Sequence, residues 1–108
     1  MQLSKEDILA QANQVCKNTL METLRIEFID FGDNSVIARM PVNSRVFQPD
    51  GVLHGGATVA LAESVGSFAA QIFSNLQEVF VRGIEINANH IKSVTEGFVY
   101  ARATFIHR

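Results

Sequence analysis

The sequence predicts an α+β domain in which an antiparallel sheet wraps around one long buried helix. The first observation behind this is the segment His54–Ser74, Ala-rich and apolar over most of its circumference, with Val59, Leu61, Val65, Phe68, Ile72 and Phe73 among its residues. It is long enough for roughly five helical turns, and a helix that apolar is enclosed by other elements. The second is a hydrophobic period of two on either side of this segment, the signature of half-buried strands. The third is the pair of turn signals, Gly32-Asp33-Asn34 and Thr95-Glu96-Gly97, that bound those strands.

Taken in order, Ser4 reads as an N-cap with Glu6 and Asp7 in the first turn, where the helix dipole favours acids. Ile8, Leu9, Ala12, Val15 and Cys16 recur at helical spacing, so an amphipathic helix is predicted over about residues 5–17. Cys16 lies on its apolar stripe and reads as a buried small hydrophobe rather than a nucleophile. Leu24, Ile26 and Phe28 alternate with Arg25 and Glu27; after the turn, Val36, Ala38, Met40 and Val42 alternate again, which predicts a β-hairpin. Residues 43–53 read as a loop containing Gln48, Pro49, Asp50 and Gly51, followed by the long helix. A strand is predicted from Val79-Phe80-Val81 to about Ile91, and a last one over Phe98–Ile106, in the overall order α-β-β-α-β-β.

Composition sets the bounds. The 108 residues are 47% hydrophobic and 19% charged, a globular balance for one domain. Nine basic against 11 acidic residues give a net charge of −2 with no basic run, so neither nucleic acid nor an anionic membrane is expected as a partner. The single cysteine excludes an intrachain disulfide and fits a reducing compartment. The opening residues have polar side chains where a signal peptide has its apolar stretch, and no segment reaches the ~18 apolar residues of a membrane helix. A cytoplasmic location is expected, and so small a domain is expected to gain stability by oligomerising.

Few residues suggest chemistry. Glu63 sits mid-way along the apolar helix, and at about 100° per residue Gly56, Glu63, Ser67 and Ser74 form one narrow polar stripe. An acid there reads either as a catalytic group or as a core acid hydrogen-bonded to Ser67. His54-Gly55-Gly56 opens the helix, where free N–H groups and close backbone approach suit an oxyanion, though a plain loop-to-helix junction looks the same. Gln48 is a loop amide able to hold a carbonyl or a water, or simply an exposed side chain. His90, Lys92 and Ser93 end a strand and could meet a phosphate or only solvent. His54, His90 and His107 show no metal-ligand spacing, and no phosphate-loop or dinucleotide fingerprint is present. His54 and Glu63 are nine residues apart, on opposite faces of the helix and ~13 Å apart along it. If Gly55 N–H and Glu63 both act on one carbonyl, two chains with antiparallel central helices supply them.

The stretches Gln48-Pro49-Asp50-Gly51-Val52-Leu53-His54-Gly55-Gly56-Ala57, Leu61-Ala62-Glu63-Ser64-Val65-Gly66-Ser67 and Gly83-Ile84-Glu85-Ile86-Asn87-Ala88-Asn89-His90 resemble the hotdog-fold acyl-CoA thioesterases. The similarity is to the 4-hydroxybenzoyl-CoA, phenylacetic-acid-pathway and 1,4-dihydroxy-2-naphthoyl-CoA thioesterase branch, and runs from about Leu20 to the end of the chain. The resemblance implies a single hotdog domain over residues 1–108 that hydrolyses an aryl- or medium-chain acyl-CoA as a homodimer or dimer of dimers, without metal or redox cofactor. It further implies that Gly55 N–H polarises the thioester carbonyl, that Gln48 helps hold the carbonyl or the water, and that His54 supports the loop. Glu63 of the partner chain would be nucleophile or general base, with Ser67 orienting it. His90, Lys92, Ser93 and Arg108 would lie near the CoA nucleotide and phosphates, and strand 84–91 would pair with its symmetry mate. Members of that family run about 30 residues further, adding two strands to a typical five- or six-stranded sheet. The chain is therefore expected to be C-terminally short, with a gap between its last strand and strand 84–91. The alternative is a non-catalytic hotdog module that binds acyl-CoA or assembles.

Overall fold

The computed structural model describes residues 4–32, 34–74, 81–92 and 95–107, and side chains for 4–32, 34–70 and 95–104. Asp33 of the first turn signal and the strand start at Val79-Phe80 lie outside the described residues. Helix α1 spans Lys5–Gln14, α2 spans Leu20–Thr23, strand β1 Glu27–Phe31, β2 Ser35–Pro41, helix α3 Gly55–Ser74, β3 Val81–Lys92 and β4 Gly97–His107, with a 3-10 turn at Ser44–Val46. The four strands form one antiparallel sheet in the order β1-β2-β4-β3. This is the α+β architecture predicted, with α3 as the central helix.

Alternation along the strands makes one sheet face the floor of the core. Val36, Ala38 and Met40 of β2 and Val99, Ala101 and Ala103 of β4 are all essentially fully buried. Three alanines among these six keep the floor shallow, so α3 approaches closely. The helix meets it with Ala57, Leu61, Val65 and Ala69, spaced by four along one face. Full burial of a side chain such as Leu61 or Val65 stabilises by about 1.5–3 kcal/mol.

Four expectations are corrected. Helix α1 stops at Gln14, not 17, and Asn18 takes a left-handed φ of 65° that a helix interior does not allow. Thr19 then caps the short α2, which the sequence reading missed; its end is closed by Ile26 N–H to Met21 C=O and Arg25 N–H to Glu22 C=O, with Arg25 at φ 59°. This turn delays the first strand from Leu24 to Glu27. Helix α3 is not enclosed all round: a single sheet covers one side of a cylinder, and the residues about 200° away from the buried row, Val59, Glu63 and Ser67, are exposed. Finally, no gap separates β3 from β4, which pair from Val81↔His107 to Lys92↔Gly97, with one register shift near Val81. An antiparallel partner satisfies the strand groups that the expected gap would have left open.

Helix α1 docks on the outer edge of the sheet through a device with no periodic signature. The Asn13 side-chain amide donates to Phe28 C=O at 3.0 Å and its oxygen accepts from Phe28 N–H at 2.8 Å. Phe28 sits at a β-bulge in the edge strand β1, so Asn13 stands in for a neighbouring strand there. Cys16 is buried as expected; its thiol donates to Ala12 C=O, and burial pushes its pKa up, which disfavours the nucleophilic thiolate.

Candidate active site

The loop before α3 is more ordered than the sequence suggested. Phe47 and Leu53 form an antiparallel bridge, flanked by His54 N–H to Val46 C=O and Gln48 N–H to Val52 C=O. Gln48-Pro49-Asp50-Gly51 turns the chain back, with Gly51 N–H bonded to Gln48 C=O. Proline pre-sets its own φ, and Gly51 supplies the φ of 89° that the reversal needs. One small ladder thus fixes the half-buried Gln48 and the exposed His54 relative to the start of α3.

His54 organises the helix N-terminus. Its carbonyl accepts from Ala57 N–H and, at 3.5 Å, Thr58 N–H, and its ring Nδ1 accepts from Gly56 N–H at 2.8 Å. Three of the four first-turn N–H groups are therefore taken by one residue. The fourth, Gly55 N–H, meets no acceptor among the described residues and stays available to an external oxygen, in the positive field of the helix end. The Nδ1 contact leaves the proton of the neutral ring on Nε2. A Cβ at Gly56 would lie 2.9 Å from the His54 ring, which would have to shift, whereas a Cβ at Gly55 meets nothing within 4 Å.

Glu63 is exposed on α3 and hydrogen-bonds neither Ser67 nor any other described residue. It lines a cavity of about 340 Å³ together with Ala12, Val15, Cys16, Met21, Phe28, Ser64, Ser67 and Phe68. The Ser64 hydroxyl is spent on Ala60 C=O at 2.7 Å; the exposed Ser67 hydroxyl has no partner among the described residues. Phe28 and Phe68 pack tilted, with centroids 4.3 Å apart. His54 and Gly56 line a different cavity, of about 300 Å³, with Leu20, Leu24, Arg45, Val46, Phe47, Ala57 and Ala60. One chain thus brings Glu63 to Ser67 and His54 to the helix N-terminus, but keeps the two groups in separate cavities.

Of the apolar side chains that the α1–α2 segment brings to the Glu63 cavity, Val15 and Cys16 were read only as a helix stripe and Met21 was not singled out. Their amphipathic spacing is the same whether they face a core or a cleft. His90 and Lys92 lie on β3, opposite Val99 and Gly97, with side chains outside those described; Ser93 and Arg108 lie outside the described residues. Among the described residues no group of three or more His, Cys, Asp or Glu could hold a metal ion, and no helix is long and apolar enough to cross a membrane.

A glutamate with a free hydroxyl beside an apolar cavity, and a helix N-terminus with a spare N–H, are parts for acyl transfer. The profile of the thioesterase superfamily matches residues 50–108. A 1,4-dihydroxy-2-naphthoyl-CoA hydrolase of Escherichia coli (strain K12) is 45% identical over 91 residues, 84% of this chain and 66% of the hydrolase. A mutant thioesterase from Pseudomonas aeruginosa matches with a TM-score of 0.73 at 44% identity, covering 93% of this chain and 72% of its own. A thioesterase from Haemophilus influenzae matches with a TM-score of 0.68 at 45% identity, covering 96% and 69%. The chain belongs to the thioesterase superfamily, with its hotdog fold, and is by class a thioester hydrolase.

Proposed function

We propose that this chain hydrolyses an aryl- or medium-chain acyl-CoA to the free acid and CoA at a site shared by two copies. The observation that carries the proposal is the exposed Glu63, unpartnered among the described residues and set with Ser67 at an apolar cavity, on a chain of the thioesterase superfamily. The likeness to a naphthoyl-CoA hydrolase supports the aryl class.

The thioester oxygen accepts Gly55 N–H of one copy, and Gln48 holds the carbonyl or the water. Glu63 of the other copy either takes a proton from water or adds to the carbonyl itself. Addition makes the oxygen an oxyanion that the helix end stabilises; its collapse breaks the C–S bond and the CoA thiolate takes a proton. When Glu63 itself adds, that collapse leaves a mixed anhydride, which water then hydrolyses at the acyl carbon to free the carboxylate; by either route water supplies the oxygen of the released acid. Ser67 orients the carboxylate or the water, while His90, Lys92, Ser93 and Arg108 are proposed for the CoA nucleotide and phosphates. Separate cavities for Glu63 and His54 support a shared site, and so does exposed Val59 on the Glu63 face of α3. Strand β3, at the sheet edge, would pair with its symmetry mate.

The test is thiol release from benzoyl-CoA, read by a thiol-trapping dye. Wild type is expected to turn over, and Glu63→Gln to lose at least about a hundred-fold, the usual worth of a positioned acid–base group. Acyl-CoA binding without thiol release by the wild-type chain would instead establish the non-catalytic module.

A further inference from the structure

A third cavity, of about 460 Å³, is larger than those holding Glu63 and His54 and falls within the ~300–1,000 Å³ range of small-molecule pockets. It shares only Cys16 with the Glu63 cavity and no lining residue with the His54 cavity. Three parts of the chain form it: the end of α1 and the turn after it, the Glu22–Glu27 segment, and Arg39, Pro41 and Phe98 of β2 and β4. Along the strands Arg39, Pro41 and Phe98 alternate with Ala38, Met40 and Val99, which are fully buried on the face that meets α3. The cavity therefore opens on the other face of the sheet, away from α3.

The charges of the lining do not balance. Its two acids are both engaged: Glu27 accepts from Arg39 Nε at 3.0 Å, and Glu22 accepts from Asn18 N–H at 3.1 Å. Arg39 is held further by the Phe98 ring, whose centroid lies 4.5 Å from the guanidinium carbon. Lys17 and Arg25 are exposed, and their side chains have no hydrogen bond or ion pair among the described residues. Three cations against two acids leave one positive charge in surplus. Arg25 also holds a φ of 59°, where glycine would sit without strain, so its side chain is retained at a conformational cost. Pro41 and Phe98 are only half-buried and add apolar surface to the same cavity.

We propose that this cavity is a second binding site, separate from the hydrolytic one, for a compact carboxylate with an apolar body. Lys17 and Arg25 hold the carboxylate, whose two oxygens the Arg25 fork can pair together, and the body lies against Pro41 and Phe98. The single surplus charge matches a monoanion. A doubly charged phosphate would bring one charge too many to a lining that already carries Glu22 and Glu27. Acids released by thioester hydrolysis belong to this class, but binding here needs no turnover.

The test is an amide NMR titration of the full chain with benzoate, acetate, benzyl alcohol and inorganic phosphate. Benzoate is expected to move the amides around Lys17, Arg25 and Phe98 as one saturating set. It should bind about ten-fold more tightly than acetate, which lacks the apolar body, and than phosphate or the uncharged alcohol. Arg25→Gly removes the charge while relieving the backbone, and Lys17→Ala alters an exposed side chain, so neither threatens the fold. Each is expected to weaken benzoate about three-fold and the double variant about ten-fold, as for exposed ion pairs. Benzoate that moves no amide, or only those beside Glu63 and Ser67, overturns the proposal. So does an affinity unchanged in the double variant, or any of the other three probes matching benzoate. The titration involves no turnover, so these outcomes leave the hydrolase reading untouched, and a failure of benzoyl-CoA hydrolysis leaves this site untouched.

Discussion

Two adjacent glycines at the start of α3 have different jobs. A Cβ at Gly56 would meet the His54 ring, which would have to shift, and Gly55 is next to open space. Gly56→Ala is expected to push the imidazole aside and reduce turnover ten-fold or more, since small misplacements at a reacting centre are costly. Gly55→Ala keeps its N–H and is expected to stay within about three-fold of wild type. Gly55→Pro suits the first helical position but removes the N–H, and is expected to lose at least about a hundred-fold, as when an oxyanion donor is deleted. Benzoyl-CoA kinetics on the three variants check the set; an inactive Gly55→Ala beside an active Gly55→Pro would reverse the assignment.

At the scale of elements, the α1–α2 segment is tied to the edge strand β1 at two polar points, Asn13 and Lys5. Asn13 supplies both a donor and an acceptor to the bulged backbone at Phe28, and the same segment carries Cys16 and Met21 to the cavity beside Glu63. Asn13→Ala strands a part-buried N–H and C=O together. It is expected to cost about 1–3 kcal/mol, read as a lower urea midpoint with little change in slope. The exposed Lys5–Asp30 pair, at 3.1 Å, pins the same helix but contributes less, because solvent screens it. A measured loss below a few tenths of a kcal/mol for Asn13→Ala would show that α1 is docked by its apolar face alone.

For the whole molecule, the question is what covers α3. Its inward row, Ala57, Leu61, Val65 and Ala69, is buried on the sheet, while Val59 on the opposite side is 55% exposed beside Glu63. A second copy meeting this face antiparallel would hide Val59 and bring its own helix N-terminus toward Glu63, an isologous contact in which each chain completes the other's site. Mixing Gly55→Pro subunits with Glu63→Ala subunits is therefore expected to restore activity in the heterodimer, which holds one intact site of two, up to about half of wild type at most. Verified heterodimers that stay inactive would place both groups in one chain's site instead.

The α+β class, the central helix, the hairpin and the alternating strands were legible in the residues, because periods of two and of 3.6 register which face of an element meets a core. The N-cap at Ser4 was legible for the same reason, its chemistry being local, whereas the turn at Gln48–Gly51 was read only as loop. Glu63, Ser67 and the His54-Gly55-Gly56 junction stood out as polar groups or glycines on an otherwise apolar rod. The rest depended on contacts between distant parts of the chain. Asn13 is an ordinary helix residue until β1 arrives beside it, and Met21 is an ordinary apolar one until it lines the same cavity as Glu63. The exposure of Glu63, the pairing of β3 with β4 and the cavity beside Glu63 were decided by tertiary packing. Periodicity records that a side is apolar; only the assembled structure says whether that side meets a sheet, a cleft or a neighbour.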